Sequence, residues 1–112
     1  KKQTHKVLKS QISKGLKRVK KLNNILFAYE PVWSIGTGII PKNKDLKKNV
    51  QFIRNNLRKK FRLKSPKILY GGSVNPKNIG LFSSISDIDG FLIGGASQSS
   101  KKFIDIIRNY YK

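Results

Sequence analysis

Three times along this chain a short apolar run gives way to a glycine-bearing turn, and the turn to a segment with helical spacing. The first run is Ile25-Leu26-Phe27-Ala28-Tyr29, closed by Glu30; a loop rich in glycine and proline follows over 31–41. Leu46, Val50, Ile53, Leu57 and Phe61 then fall on one helical face, with Lys and Arg opposite. The second unit is Ile68-Leu69-Tyr70, the turn Gly71-Gly72-Ser73, and a short helix through Ile79, Leu81 and Phe82. Asn75 supplies its N-cap and Pro76 its first helical position. The third is a strand over 88–93, the turn Gly94-Gly95-Ala96-Ser97, and a helix with apolar Phe103, Ile106, Ile107 and Tyr110, capped by Ser99 or Ser100. Leu8, Ile12, Leu16 and Val19 predict one more amphipathic helix ahead of these units, weakened by Gly15. Such alternation implies a parallel sheet with right-handed crossovers, its strands buried on both faces. Periodicity leaves two architectures open, an open doubly wound sheet and part of a (β/α)8 barrel. In both, functional loops lie at the carboxyl ends of the strands. Glu30 and all three glycine-rich loops fall there.

Composition bounds the function less sharply. The 112 residues are about one small domain, and 38% apolar content suffices for a core. No run approaches the roughly 18 apolar residues of a membrane span, and the chain opens with charges rather than a signal-peptide core. The absence of cysteine excludes disulfides and thiolate metal sites and is compatible with a cytoplasmic protein. The absence of methionine hints at truncation. Lys and Arg number 25 against 5 acidic residues, a net charge of +20. That balance suits a polyanion or a small phosphorylated substrate. It equally suits solvated helix faces, and the basic residues do sit between apolar helix positions rather than in one block. Charge alone identifies no function.

The residues that can carry chemistry cluster at strand ends. Glu30 closes an apolar strand, where partial desolvation favours a proton acceptor of raised pKa. A strand-end glutamate in a salt bridge is the plainer alternative. Gly71-Gly72, Ser73 and Gly94-Gly95 follow successive strands and precede helix starts, where backbone N–H groups can approach an anion. Each turn alone is explained as well by tight geometry, but two on adjacent strands favour a phosphate site. Gly36-Thr37-Gly38 lacks the spacing of a nucleotide motif. His5, the only histidine, lies in a basic segment and is expected at the solvated surface.

The run Ala28-Tyr29-Glu30-Pro31-Val32-Trp33-Ser34-Ile35-Gly36-Thr37-Gly38 closely resembles the catalytic strand and lid of the triosephosphate isomerase family. Tyr70-Gly71-Gly72-Ser73-Val74 is similar to that family's seventh-strand loop. The stretch 87–97 resembles its eighth strand and phosphate loop, and 7–13 its helix before the catalytic strand. The motifs stand in the family's order and spacing and cover nearly the whole chain. Ser34 stands where the family usually has alanine and Gln98 where it has leucine; neither substitution is expected to touch a role-bearing position.

The resemblance implies a partial (β/α)8 TIM barrel: three parallel strand–loop–helix units preceded by a helix. Residues 1–112 would be the carboxyl-terminal part of the domain, about strands six to eight, with the earlier strands absent. It implies interconversion of dihydroxyacetone phosphate and glyceraldehyde 3-phosphate through an enediolate, without cofactor or metal, in glycolysis and gluconeogenesis. The family is itself a standard illustration of this chemistry, so the roles are carried over. Glu30 would be the base. Gly36, Ser73, Gly94 and Gly95 would offer backbone donors to the phosphate. Pro31, Val32, Trp33, Ser34, Ile35, Thr37 and Gly38 would form the lid, with Tyr70 and Ser73 latching it. The family's strand-one asparagine and lysine and strand-four histidine would lie upstream of Lys1. The implied setting is a cytoplasmic homodimer with a triose phosphate substrate, no specific nucleic acid and no membrane. The 112-residue chain by itself is expected to be marginally stable, association-prone and inactive. A phosphate-binding remnant and a basic nucleic-acid module are the competing readings. The second is disfavoured because Phe52, Phe61, Phe103 and Tyr110 fall mostly on apolar helix faces.

Overall fold

Each apolar run forms a strand in the computed structural model, which describes residues 2–112 without the side chains of Lys2 and Trp33. The strands β1 (Leu26–Tyr29), β2 (Lys67–Tyr70) and β3 (Gly90–Phe91) pair in parallel in that order. Tyr29 stands opposite Tyr70, and Leu69 opposite Gly90. The ladder runs past the strand ends through Gly71 N–H to Tyr29 O and Leu92 N–H to Tyr70 O, both 2.9 Å. The helices are α1 (Lys2–Leu16), α2 (Asn43–Phe61), α3 (Ile79–Phe82) and α4 (Ser100–Tyr110).

Neighbours in register share a face, so Phe27, Tyr29, Ile68, Tyr70 and Phe91 line one side of the sheet and Leu26, Ala28, Leu69 and Gly90 the other. The first side carries the core. Ile68 and Tyr70 are sealed there with Leu46, Val50 and Leu57 of α2 and Ile79 and Phe82 of α3. α1 packs against α2 through Leu8, and α4 contributes Ile106. The second side is open: Leu26 is 67% exposed and Leu92 is 47% exposed. Strands buried on both faces were expected; this sheet is covered on one. A helix layer on a single face suits a segment of a barrel rather than a doubly wound sheet.

Local chemistry sets the element ends. α2 stops where Arg62 turns left-handed (φ 58°), with Leu63 N–H bonded to Leu57 O at 3.3 Å. A left-handed residue just past the last turn is a common way for a helix to end. Ser99, not Ser100, caps α4, its Oγ accepting the Lys102 N–H at 3.3 Å. Asn75 Oδ1 accepts the N–H groups of Lys77 and Asn78, both at 2.9 Å. The turn it caps carries Pro76, and α3 itself begins only at Ile79.

Three elements differ from expectation. α1 ends at Leu16, leaving Val19 in an exposed turn, because the basic stretch after Gly15 has no apolar partner to extend the face. The third strand pairs over Gly90–Phe91 rather than 88–93. It has a neighbour on one edge only, and the Ile88 N–H turns back to Ile85 O at 3.3 Å. In α4 only Ile106 is buried, while Phe103 and Ile107 are exposed, Ile107 beside β3.

Candidate active site at the carboxyl end of the sheet

Parallel pairing sets the residues after each strand side by side. Glu30 follows β1, and Gly71, Gly72 and Ser73 follow β2. A Cβ built on Gly71 would sit 2.7 Å from Glu30 Cγ, so the bare glycine is what lets the glutamate side chain lie across the end of β2. Glu30 itself is exposed. The desolvation expected at the strand end is missing because its side of the sheet is uncovered.

The segment after Glu30 folds down onto the β2 turn. Pro31 O accepts the Ser34 N–H at 2.8 Å, forming the 3-10 turn Val32–Ser34 that includes the backbone of Trp33. Gly36 (φ 68°) and Gly38 (φ 77°) then carry the chain through left-handed conformations costly for other residues. The Gly38 N–H donates to Ser73 Oγ at 2.9 Å, and Ser73 Oγ donates to Ser34 O. Thr37 Oγ1 accepts the Ile39 N–H at 3.1 Å. Val32 and Ile35 point outward. The Tyr70 hydroxyl meets Ser34 Oγ at 2.9 Å, and burial raises the phenol's pKa, with the Ser34 hydrogen bond working against it. The ring therefore stays neutral over the physiological range and can donate.

Gly36, Gly38, Gly72, Ser73, Gly94 and Gly95 line one cavity of about 470 Å³. Gly94 opens the 3-10 turn Gly95–Gln98, and Gln98 is exposed. Glu30 does not line this cavity. It borders the adjoining groove with Ala28, Tyr29 and the α1 residues Leu8, Ile12 and Leu16. The two regions meet across Gly71-Gly72. The expected donor residues and the expected lid converge, and the carboxylate stands next to them at the same sheet end.

Three features escaped the sequence reading. Ser34, read there as a lid residue whose departure from alanine touches no role-bearing position, is fully buried and bonded to both Tyr70 and Ser73. Lys77 and Lys102 line the glycine cavity, but as cations they were hidden among the chain's 25 Lys and Arg residues. His5 is half-buried rather than solvated. Its Nε2 lies 3.0 Å from Asn49 Oδ1, its ring stacks on Phe52 at 4.1 Å, and Asn49 Nδ2 donates to Tyr29 OH at 3.1 Å.

A family model described as triosephosphate isomerase matches residues 1–110. Similar proteins include the triosephosphate isomerases of Thermodesulfovibrio yellowstonii, 41% identical over 107 residues, and Yarrowia lipolytica, 44% identical over 105. These matches cover 94% and 92% of this chain but 44% and 42% of the relatives. That of Amoebophilus asiaticus is 45% identical over 91 residues, 79% of this chain and 36% of its own. The chain thus spans about two fifths of the length of the curated relatives it matches.

Proposed function

The chain belongs to the triosephosphate isomerase family, and from that premise we propose that it is the carboxyl-terminal part of an enzyme interconverting dihydroxyacetone phosphate and glyceraldehyde 3-phosphate. The observation carrying this reading is the convergence of lid, β2 turn and Gly94-Gly95 on one cavity, with Glu30 against Gly71 at the same end. Glu30 moves the proton between adjacent carbons. A base acts here only if held against the carbon and screened from water. The phosphate is gripped by the backbone N–H groups of Gly36, Ser73, Gly94 and Gly95. Being remote from the reacting carbons, it supplies binding energy that closes the lid 31–38. Lys77 and Lys102 give the dianion a cationic surround. No step needs a cofactor or metal.

The electrophilic residues that polarise the carbonyl, and the strands that cover the open sheet face, belong to the part of the barrel outside these 112 residues. The complete protein acts in glycolysis and gluconeogenesis as a cytoplasmic homodimer, and the 112-residue chain by itself is inactive. No helix among the described residues is long and apolar enough to cross a membrane.

Joining this chain to the portion of the Yarrowia lipolytica relative outside the matched stretch tests the reading. The joined protein should turn over glyceraldehyde 3-phosphate, and Glu30→Gln should abolish turnover while leaving the fold intact. A well-folded joined protein with no activity, or one indifferent to Glu30→Gln, would overturn it. Turnover by the 112-residue chain alone would overturn the claim of inactivity.

A further inference from the structure

We propose that Ser34 is a lid-positioning residue whose hydroxyl holds the 31–38 segment shut over the cavity of Gly36, Ser73, Gly94 and Gly95. The proposal rests on the isomerase reading for the purpose of the lid, but its geometry stands apart from that reading. Within the lid the usual pattern is inverted: Val32 is 82% exposed, whereas the polar Ser34 is sealed from solvent. A buried hydroxyl is stable only when hydrogen-bonded.

Ser34 uses its whole capacity of one donor and two acceptor positions. It donates to Ile39 O at 2.6 Å and accepts from the Ser73 N–H at 3.3 Å. Its proton being committed to Ile39, the contact to Tyr70 is one in which the phenol donates, at 2.9 Å. These partners sit in three places: the residue just after the lid, the end of β2 and the turn after it. Ser73 returns the grip, with its Oγ on Ser34 O and under the Gly38 N–H. The two serines therefore clasp each other's backbone as well as each other's loops. Gly72 makes this possible, since a Cβ there would fall 2.1 Å from Tyr70 OH and 2.7 Å from Ser34 Oγ. Alanine at this position could make none of the three hydroxyl bonds. This lid thus has a polar clasp of its own, biasing it toward the closed state.

Amide hydrogen exchange on the full 112-residue chain tests the clasp without requiring activity. Ser34→Ala should speed exchange at Gly38 and Ser73 roughly three- to tenfold, the range for loss of one net hydrogen bond. Amides of Val50, Leu57 and Ile68 should be unchanged. Tyr70→Phe removes one of the same bonds from the other side, so the double variant should accelerate exchange by less than the product of the two single effects. Unchanged Gly38 and Ser73 rates in both single variants would overturn the proposal, as would equal acceleration at the core amides, which marks general destabilisation. Titration with inorganic phosphate gives the second readout: affinity should fall severalfold in Ser34→Ala. If the unsubstituted chain binds no phosphate, the phosphate-site reading fails, while the exchange ratios still decide the role of Ser34.

Discussion

Gly71 is where a single methyl group separates structure from chemistry. Its backbone is not left-handed, so alanine is conformationally acceptable, yet the added Cβ would meet Glu30 Cγ at 2.7 Å. Glu30 is exposed and flexible enough to swing away. Gly71→Ala should therefore leave the thermal midpoint within about 2 °C, a shift of under about 0.5 kcal/mol. In the protein with a completed barrel it should lower turnover about a hundredfold, the cost of misplacing a base by roughly 1 Å. Unaltered turnover would show that Glu30 needs no such berth. Residues of this kind divide by how local their signal is. The places of Glu30, Gly71-Gly72 and Gly94-Gly95 after strand ends were legible because strand-end position and glycine pairs are written in adjacent letters. Ser34 was not, since its partners Tyr70 and Ser73 lie 36 and 39 residues away and only the folded chain brings them together.

At the level of elements, one carboxylate joins three of them. Asp89 Oδ2 accepts the Ile68 N–H at 2.8 Å, and Arg54 of α2 donates to Asp89 at 3.0 Å and to Pro66 O at 2.8 Å, with a further bond to Asp87 O. Burial pushes the Asp89 carboxyl upward, but the Ile68 N–H and then the Arg54 guanidinium outweigh it, and its pKa is lowered. The stabilisation is thus fully present above the unfolded value near 4 and is lost as pH falls through the lower folded value. Asp89→Ala should cost about 1–2 kcal/mol at pH 7. Urea midpoints measured between pH 7 and pH 3 should show a shallower acid limb in the variant, and parallel limbs would contradict this. The end of α2 offers the opposite case, since Arg62 holds a left-handed backbone that suits glycine. Arg62→Gly should stabilise by about 1 kcal/mol, a rise of about 5 °C, and a lower midpoint would count against strain there. The buried face of α2 was readable because Leu46, Val50, Ile53 and Leu57 have a partner layer. The cap of α4 was readable too, but its burial and the extent of β3 were not: periodicity marks which residues could be buried, whereas pairing and burial need a neighbour, and both lie at the unpaired edge.

For the whole molecule, surface area tells what periodicity could not. A compact monomer of 12.8 kDa exposes about 6,300 Å² by the usual scaling, whereas this chain exposes 8224 Å². Large apolar side chains are among the exposed residues: Leu26 and Leu92 on the open sheet side, and Phe103, Ile104 and Ile107 on α4. An alternation of strands and helices announces parallel pairing but not how many strands share the sheet, so the expected double-sided burial failed here. Against this apolar surface stands a net charge of +20. Phe52, Phe61 and Tyr110 pack against the core, whereas the charge is carried mostly by exposed Lys and Arg side chains. Its effect is repulsion between copies. In 10 mM salt the Debye length of about 30 Å matches the molecule's own extents of 39 × 30 × 23 Å, and each copy feels the full charge of the next. In 1 M salt that length shrinks to about 3 Å, and the apolar faces decide. Sedimentation velocity should therefore find a single species near 12.8 kDa at 10 mM salt and larger species at 1 M, reversibly. Leu26→Lys with Leu92→Lys, charging the open sheet side, should suppress the larger species. A chain that stays monomeric at high salt would mean that its exposed apolar surface is too small or too dispersed to associate.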